Sequence, residues 1–511
     1  MNYLIGTDIG TSGTKSILMD TNGNLLAQDL VEYGLLTPKP LWAEQWPDLW
    51  VSAVKQTIKN VVQKAGVEPA KIKGIGVSGL YGGSGIPLDE YMKPVRPCII
   101  WMDRRATVET NWAIKNIGEE RLQEITANGA DPYYGFTKML WIKNNEPHNW
   151  EKIKLFLPPS HYAIYQLTGE VAIDYSSAGN IGGIFDMNTH TWSKELLQDM
   201  DIPVEMMPER IVNSTEIVGR ITEEIADELG LESGTPVISG GIDCGAANIG
   251  MGIFEPGVYT AAIGTSMCAA LVENAPLKKQ GLIVWPYPFN SKELSYNFSG
   301  AATAGALTRW FRDHFAELEM DRQENGGTNA YELLNIKAEK IPAGSEGLIV
   351  LPYFMGERSP IWNQDAKGTI FGLSLAHTKA HIYRAFMEAV AYSLRETIES
   401  TGKDLGEYII IAGGVTKSKL WKQIFADVTG YPIVTPTYDT EANLGDVMLA
   451  GLATGELTVD DVKKWQVLDE KVFPNPNSQN VYDQYYNLYK KVYLDLKENM
   501  SILSEIVDRH N

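Results

Sequence analysis

Cysteine is scarce in this chain of 511 residues. Only Cys98, Cys244 and Cys268 occur, an odd count without a C-x-x-C pair, which argues against a disulfide framework and against a structural zinc site. Histidine is scarce as well. Of the seven, only His377 and His381 stand close together, and with no third ligand nearby a satisfied structural pair is expected rather than a metal site. No apolar run approaches the roughly 20 residues needed to span a bilayer. The opening Asn2-Tyr3-Leu4-Ile5-Gly6-Thr7-Asp8 has no basic leader and no cleavable apolar stretch, so a cytoplasmic protein is expected. Positive charge is in the minority: 44 Lys and Arg against 64 Asp and Glu give a net charge of −20. Such a chain repels nucleic acid and anionic membrane, so any phosphate must be held locally by backbone N–H groups and a few cations. The phosphate-loop pattern G-x-x-x-x-G-K-[ST] is absent.

What is present reads as α/β. Apolar β-type runs alternate with helical patterns over most of the length, and the length allows two to four folding units at about 100–200 residues each. The chain opens with a strand from Tyr3, a Gly/Thr/Ser-rich tip, a return strand over Thr14–Met19, an Asn22-Gly23 turn and a third strand from Leu25. The design recurs later: a strand over Gly257–Ala262, a tip, and a return over Met267–Val272. Ile-Gly-Thr-Ser occupies both tips, at 9–12 and 263–266. The reading is a duplicated architecture with two domains, 1–246 and 247–511, each offering one phosphate-binding hairpin to a shared central cleft. Near the C-terminus, Tyr482, Tyr485, Tyr486, Tyr489, Val492, Tyr493 and Leu496 fall at helical spacing, as a helix packing on its parent domain would.

Four motifs carry chemistry. In Asp8-Ile9-Gly10-Thr11-Ser12-Gly13-Thr14-Lys15, glycines bring N–H groups to an anion, Thr11, Ser12 and Thr14 add hydroxyls, Lys15 adds charge, and Asp8 stands where a carboxylate could hold Mg²⁺ directly or through water. In Gly240-Gly241-Ile242-Asp243-Cys244-Gly245, a buried-type strand delivers Asp243 to its carboxyl end, where α/β ligand sites lie. That carboxylate suits a general base, and the alternative is a helix N-cap. Ile409–Ile411 runs into Ala412-Gly413-Gly414 and then Lys417-Ser418, where paired glycines let a flat base or ribose lie against backbone. Ile99-Ile100-Trp101-Met102-Asp103-Arg104-Arg105 delivers carboxylate and guanidinium together, suited to gripping hydroxyls or to forming a surface ion pair. Gly74-Ile75-Gly76-Val77-Ser78-Gly79 fits G-x-G-x-x-G, but the following Leu80-Tyr81-Gly82-Gly83 is a poor helix, so a dinucleotide site is not expected.

Together these motifs resemble the FGGY carbohydrate kinases, of the actin-like, ribonuclease-H-like ATPase superfamily, from Asp8 to about Gly455. Lys138-Met139-Leu140-Trp141 and Gly368-Thr369-Ile370-Phe371-Gly372-Leu373 running on to Glu388 resemble the family's two signatures, and Gly356-Glu357-Arg358-Ser359-Pro360 is typical of it. The resemblance implies two ribonuclease-H-like domains around a cleft, with sugar and catalysis on 1–246 and ATP on 247–511. It implies ATP-dependent phosphorylation with Mg²⁺, Asp243 as catalytic base, and the Asp8–Lys15 loop, Gly10 included, on phosphates and metal-bound water. Gly264, Thr265 and Gly305 would meet ATP phosphates or ribose, and Gly413, Gly414, Lys417 and Ser418 would border the adenosine. Leu80, Tyr81, Trp101, Asp103, Arg104 and Asp243 would border the sugar. Pro40-Leu41-Trp42-Ala43-Glu44-Gln45 and the length are most similar to xylulose kinases, but those usually carry Gly-Gln-Met-His-Gly where this chain has Gly79-Leu80-Tyr81-Gly82-Gly83. D-xylulose is the favoured sugar, with other pentuloses, gluconate and polyols open. The rival readings are an actin-like ATPase and an inactive sugar sensor. The partners implied are a small sugar and ATP, with no nucleic acid or membrane, and the chain is open to forming a homodimer.

Overall fold

The computed structural model describes residues 1–437 and 442–510 and divides into two compact units. The first comprises Met1–Pro256, Val272–Asn297 and Thr440–Val467; the second comprises Gly257–Leu271, Phe298–Asp439 and Leu468–Asn511. Among the described residues, no helix is long and apolar enough to cross a membrane.

The first unit is built on a six-stranded sheet. Its strands are β1 (Tyr3–Ile9), β2 (Gly13–Asp20), β3 (Leu25–Glu32), β4 (Ile72–Gly79), β5 (Ile217–Arg220) and β6 (Pro236–Ile242), in the order β5-β6-β4-β1-β2-β3. The opening β-meander is as the sequence leads one to expect, with β1 antiparallel to β2 and β2 to β3. β1, β4 and β6 run parallel, with Asp8 beside Ser78 and Ser78 beside Gly241. Their carboxyl ends therefore lie in one row, the usual location of ligand sites in such sheets.

Alternation along the strands gives the sheet two distinct faces. Thr7 and Ser16 share a hydrogen bond of 2.8 Å on one face, and Ser16 donates to Thr57 of the helix Pro47–Ala65 at 2.7 Å. The opposite face is nearly bare, because Gly6, Gly76 and Gly240 occupy it. A Cβ on Gly6 would overlap the Asn443 carbonyl, one on Gly76 the Asp446 carbonyl, and one on Gly240 the Asp446 carboxylate. The helix Ala442–Thr454 thus lies directly on the backbone of three strands. Its own Gly445 meets the helix Asp243–Gly250 in the same way, with no room for a Cβ beside the Ala246 carbonyl. The G-x-G of residues 74–76 therefore serves helix packing, inside a strand, and opens no dinucleotide-binding turn.

The second unit repeats the hairpin. β7 (Tyr259–Ile263) pairs antiparallel with β8 (Met267–Glu273) and parallel with β9 (Ile409–Ala412), which continues to β10 (Ile433–Val434). The aromatic C-terminal pattern forms the helix Pro476–His510, whose Tyr482, Tyr486 and Tyr489 are buried around Tyr392 of the helix Lys379–Thr401. His377 and His381 stack edge-on and fasten the start of that helix, His381 as part of a capping box with Thr378.

The bare face yields a stability test. Gly76→Ala is expected to cost about 1–3 kcal/mol in denaturant unfolding through overpacking. Gly34→Ala, at an exposed position with nothing near the added methyl, should leave the midpoint unchanged. An unaltered midpoint for Gly76→Ala would contradict backbone-close packing of the helix Ala442–Thr454.

Candidate functional site

Three parallel strands end where the chemistry-bearing residues collect. Asp8 stands near the end of β1, Ser78 near the end of β4, and Asp243 directly after β6. Asp243 opens the helix Asp243–Gly250, but it does not cap it: Ile242 holds the N-cap position, and the Asp243 carboxylate accepts the Cys244 N–H at 2.6 Å. Burial pushes Asp243 up to about 6, against the downward pull of its hydrogen bonds from Cys244. It is therefore ionised at neutral pH and still basic enough to take a proton.

A fourth residue joins this group from the helix Ala442–Thr454. Ser78 Oγ donates to Asp446 Oδ2 at 2.7 Å and lies 3.2 Å from Asp8 Oδ1. One hydroxyl proton thus faces two carboxyl groups. Asp446 is fully buried, and its Oδ1 has no partner among the described residues. Burial and the charge of Asp8 hold it well above the usual carboxylate range, with Asp243 adding to the effect. None of the four chemistry-bearing sequence motifs contains Asp446. The available signal was a lone carboxylate in an otherwise apolar, small-residue segment, Ala442-Asn443-Leu444-Gly445-Asp446-Val447-Met448-Leu449-Ala450.

The tip between β1 and β2 has a definite polarity. The Ile9 carbonyl accepts from Leu80 N at 2.7 Å and the Ser12 carbonyl from Tyr33 N at 3.0 Å. The Gly10 carbonyl accepts from Tyr33 Oη at 2.7 Å and the Thr11 carbonyl from Gln45 Nε2 at 2.8 Å. The N–H groups of Thr11 and Ser12 are uncommitted among the described residues. Carbonyls held back and amides left forward make a concavity suited to an anion. Trp101 Nε1 donates to Thr11 Oγ1 at 3.1 Å, bringing the expected sugar strand to this tip.

The second unit's tip is arranged alike. The Gly264 carbonyl accepts from Gly305 N at 2.8 Å, the Thr265 carbonyl from Ala304 N at 2.9 Å and Ala306 N at 3.1 Å, and the Ser266 carbonyl from Gly264 N at 3.0 Å. The N–H groups of Thr265 and Ser266 are uncommitted among the described residues. Gly264, Thr265 and Gly305 line a cavity of about 1070 Å³ together with Tyr331, Gly414, Lys417 and Ser418. Gly305 contributes shape rather than a donor, since its N–H is spent on Gly264 and a Cβ there would overlap that carbonyl. Ser418 caps the helix Lys419–Thr429 through a bond from Trp421 N. Gly413, at φ 98°, lets β9 pass the Ile263 carbonyl and lies outside the lining.

Several of the expected site residues also have partners within the protein, and some are closed off from a ligand. Thr14 is fully buried, and its hydroxyl bonds Tyr33 Oη at 3.1 Å. The Leu80 side chain belongs to the hydrophobic core. Asp103 is neither at the surface nor open to a ligand: its carboxylate accepts from Ala43 N, Arg105 N and the Arg105 guanidinium. Arg104 is held bidentately by Asp131 at 2.5 and 2.9 Å. Tyr81 is buried against Tyr133, ring centroids 5.0 Å apart, and lines a small void with Gly82, Ser177 and Ile242. Lys15 stands opposite Asp8 in the β1–β2 register.

The raised Asp243 has a stability consequence. Its folded-state value of about 6 exceeds the ordinary 3.8, so its contribution is complete below pH about 3.8 and is lost as pH rises through about 6. Asp243→Asn is therefore expected to stabilise the protein at pH 7.5 by up to about 3 kcal/mol, with the gain vanishing near pH 4. Denaturant titrations at the two pH values check this, and an equal effect at both would refute the desolvation cost of this carboxylate.

Known proteins fit this arrangement. The N-terminal domain of the FGGY family of carbohydrate kinases matches residues 3–250, and the C-terminal domain matches residues 259–454. A xylulose kinase of Lactococcus lactis subsp. lactis is 30% identical over 515 residues, covering 99% of this chain and 100% of that protein. A gluconokinase of Bacillus subtilis is 31% identical over 464 residues, covering 89% and 88%. The structure of ligand-bound xylulose kinase from Lactobacillus acidophilus aligns with a TM-score of 0.90 at 27% identity, covering 98% of this chain and 100% of that one. With both family domains matched in order and full-length relatives aligned end to end, this chain belongs to the FGGY family of carbohydrate kinases.

Proposed function

We propose that this sugar kinase transfers the γ-phosphoryl group of ATP to D-xylulose, giving D-xylulose 5-phosphate. The observation that carries the reading is Asp243, a carboxylate raised to about 6 at the end of the parallel strands of the sheet that also carries an anion-ready hairpin tip. In this reading Asp243 accepts the proton of the sugar hydroxyl as that oxygen attacks the γ-phosphorus. Trp101, Arg104 and Tyr81 border the sugar, and the first unit, with the sugar and the base, is the catalytic domain.

The second unit is the ATP-binding domain. Adenosine occupies the cavity lined by Tyr331, Gly414, Lys417 and Ser418. The Thr11-Ser12 and Thr265-Ser266 amides, with Lys15, hold phosphate oxygens. Asp8 offers a carboxylate oxygen to Mg²⁺, a cation held by one or two carboxylates, waters and substrate phosphates; when bound, Mg²⁺ neutralises charge on those phosphates. Positioning and charge neutralisation account for most of the rate in such transfers. The choice of xylulose rests on full-length similarity to xylulose kinases. D-gluconate is the second reading, favoured by the gluconokinase similarity.

Asp243→Ala is expected to lower sugar-dependent ADP release by about 10²- to 10⁴-fold while the protein remains folded. Wild-type activity should fall as pH drops through about 6, where Asp243 takes up its proton. A coupled ADP assay over pentuloses, hexonates and polyols tests the substrate. D-xylulose should give the highest kcat/KM; a preference for D-gluconate would establish the second reading, and ADP release independent of any sugar would overturn both.

A further inference from the structure

The Gly356-Glu357-Arg358-Ser359-Pro360 motif is typical of the family, yet neither the sugar nor the catalytic base accounts for it. In the structure it lies behind the second tip. Glu357 Oε1 accepts from Ala302 N at 2.7 Å and from Arg358 N at 2.8 Å. Arg358 Nη2 donates to the Ala301 carbonyl at 3.0 Å and lies 3.3 Å from that of Met267. The two side chains therefore hold the donor at Ala302, the acceptor at Ala301 and the residue that opens β8. Ser359 adds a backbone contact, its carbonyl 3.3 Å from Gly300 N.

The segment held in this way is the one that pins the tip. Ala301 accepts from Met267 N at 3.0 Å, and Ala304, Gly305 and Ala306 donate to the Gly264 and Thr265 carbonyls. If residues 300–304 shift, those carbonyls are released and the forward-facing Thr265 and Ser266 amides lose their orientation. Glu357 is buried, and its Oε2 has no partner among the described residues, so the carboxylate is kept at a cost in desolvation. Burial raises it to about 7 despite the two N–H donors and Arg358. An apolar side chain would fill the space more cheaply, but it could not accept the Ala302 N–H.

We propose that Glu357 and Arg358 are positioning residues for the nucleotide, a paired clamp that holds residues 300–304 so that the Thr265-Ser266 amides face the phosphates. The clamp touches neither nucleotide nor sugar and acts only through the backbone of the second unit. It rests on the reading that this unit binds ATP.

The test measures ADP binding by displacement of a fluorescent ADP analogue, alongside KM for ATP, KM for D-xylulose and thermal stability. Glu357→Ala and Arg358→Met should each weaken ADP binding and raise KM for ATP by about fivefold or more, the scale of a lost charge-assisted hydrogen bond, with KM for the sugar within about twofold of wild type. Glu357→Gln keeps the oxygen that accepts both N–H groups and should restore most of the affinity. Should Glu357→Ala not fold, Arg358→Met and Glu357→Gln decide the matter. Folded Arg358→Met with wild-type ADP affinity would overturn the clamp, as would equal changes in the two KM values or a Glu357→Gln variant as weak as Arg358→Met. Wild-type protein that fails to bind ADP would instead overturn the ATP reading itself.

Discussion

The site depends on a helix lying on bare sheet. Gly6, Gly76 and Gly240 remove side chains from adjacent parallel strands, so the helix Ala442–Thr454 comes down on the backbone itself. That approach carries Asp446 to the carboxyl end of the sheet, within reach of Ser78, and so into the electrostatic field of Asp8 and Asp243. A single methyl on any of the three glycines would lift the helix and remove Asp446 from the group. The sheet and the helix thus share one requirement, and the electrostatics of Asp446 inherit it.

That arrangement also explains why the carboxylates are poised rather than merely clustered. Ser78 has one proton to offer and two carboxyl groups beside it, and the deeper of these, Asp446, has an oxygen with no partner among the described residues. Burial and the charge of Asp8 favour the protonated form of Asp446. The native state holds these carboxyl groups together at a cost to stability, an expense that folds accept at functional sites.

How much of this was legible depended on whether the signal was local. The hairpins were, because turn chemistry and strand alternation are written in consecutive residues. The repeated Ile-Gly-Thr-Ser was legible for the same reason. Asp243 could be singled out because a buried-type strand and two glycines precede it. Thr14, Leu80 and Asp103 were misleading. Each sits in the right motif, but sequence does not say which face a residue takes at a tip, or that Arg105 and the Ala43 amide already hold the Asp103 carboxylate. Asp446 was missed because its meaning arises over a separation of more than 360 residues from Ser78. The glycines of 74–79 were visible, but their purpose was not, since the helix that needs them lies far along the chain.

The two tips answer one physical problem with different parts. A hairpin tip exposes carbonyls as readily as amides, and only amides suit a phosphate. In the first unit the carbonyls are held back by the Tyr33 hydroxyl, the Gln45 amide and the backbone of Leu80. In the second they are held by consecutive N–H groups at the start of the helix Gly305–Phe315. Those N–H groups cannot also bind an anion, so a helix start that looks ready for phosphate is spent on orienting its neighbour. What the two copies of Ile-Gly-Thr-Ser have in common is therefore the polarity of the loop rather than the donors that fix it. Those donors are free to differ because each needs only to draw a carbonyl away from the face where the Thr and Ser amides remain.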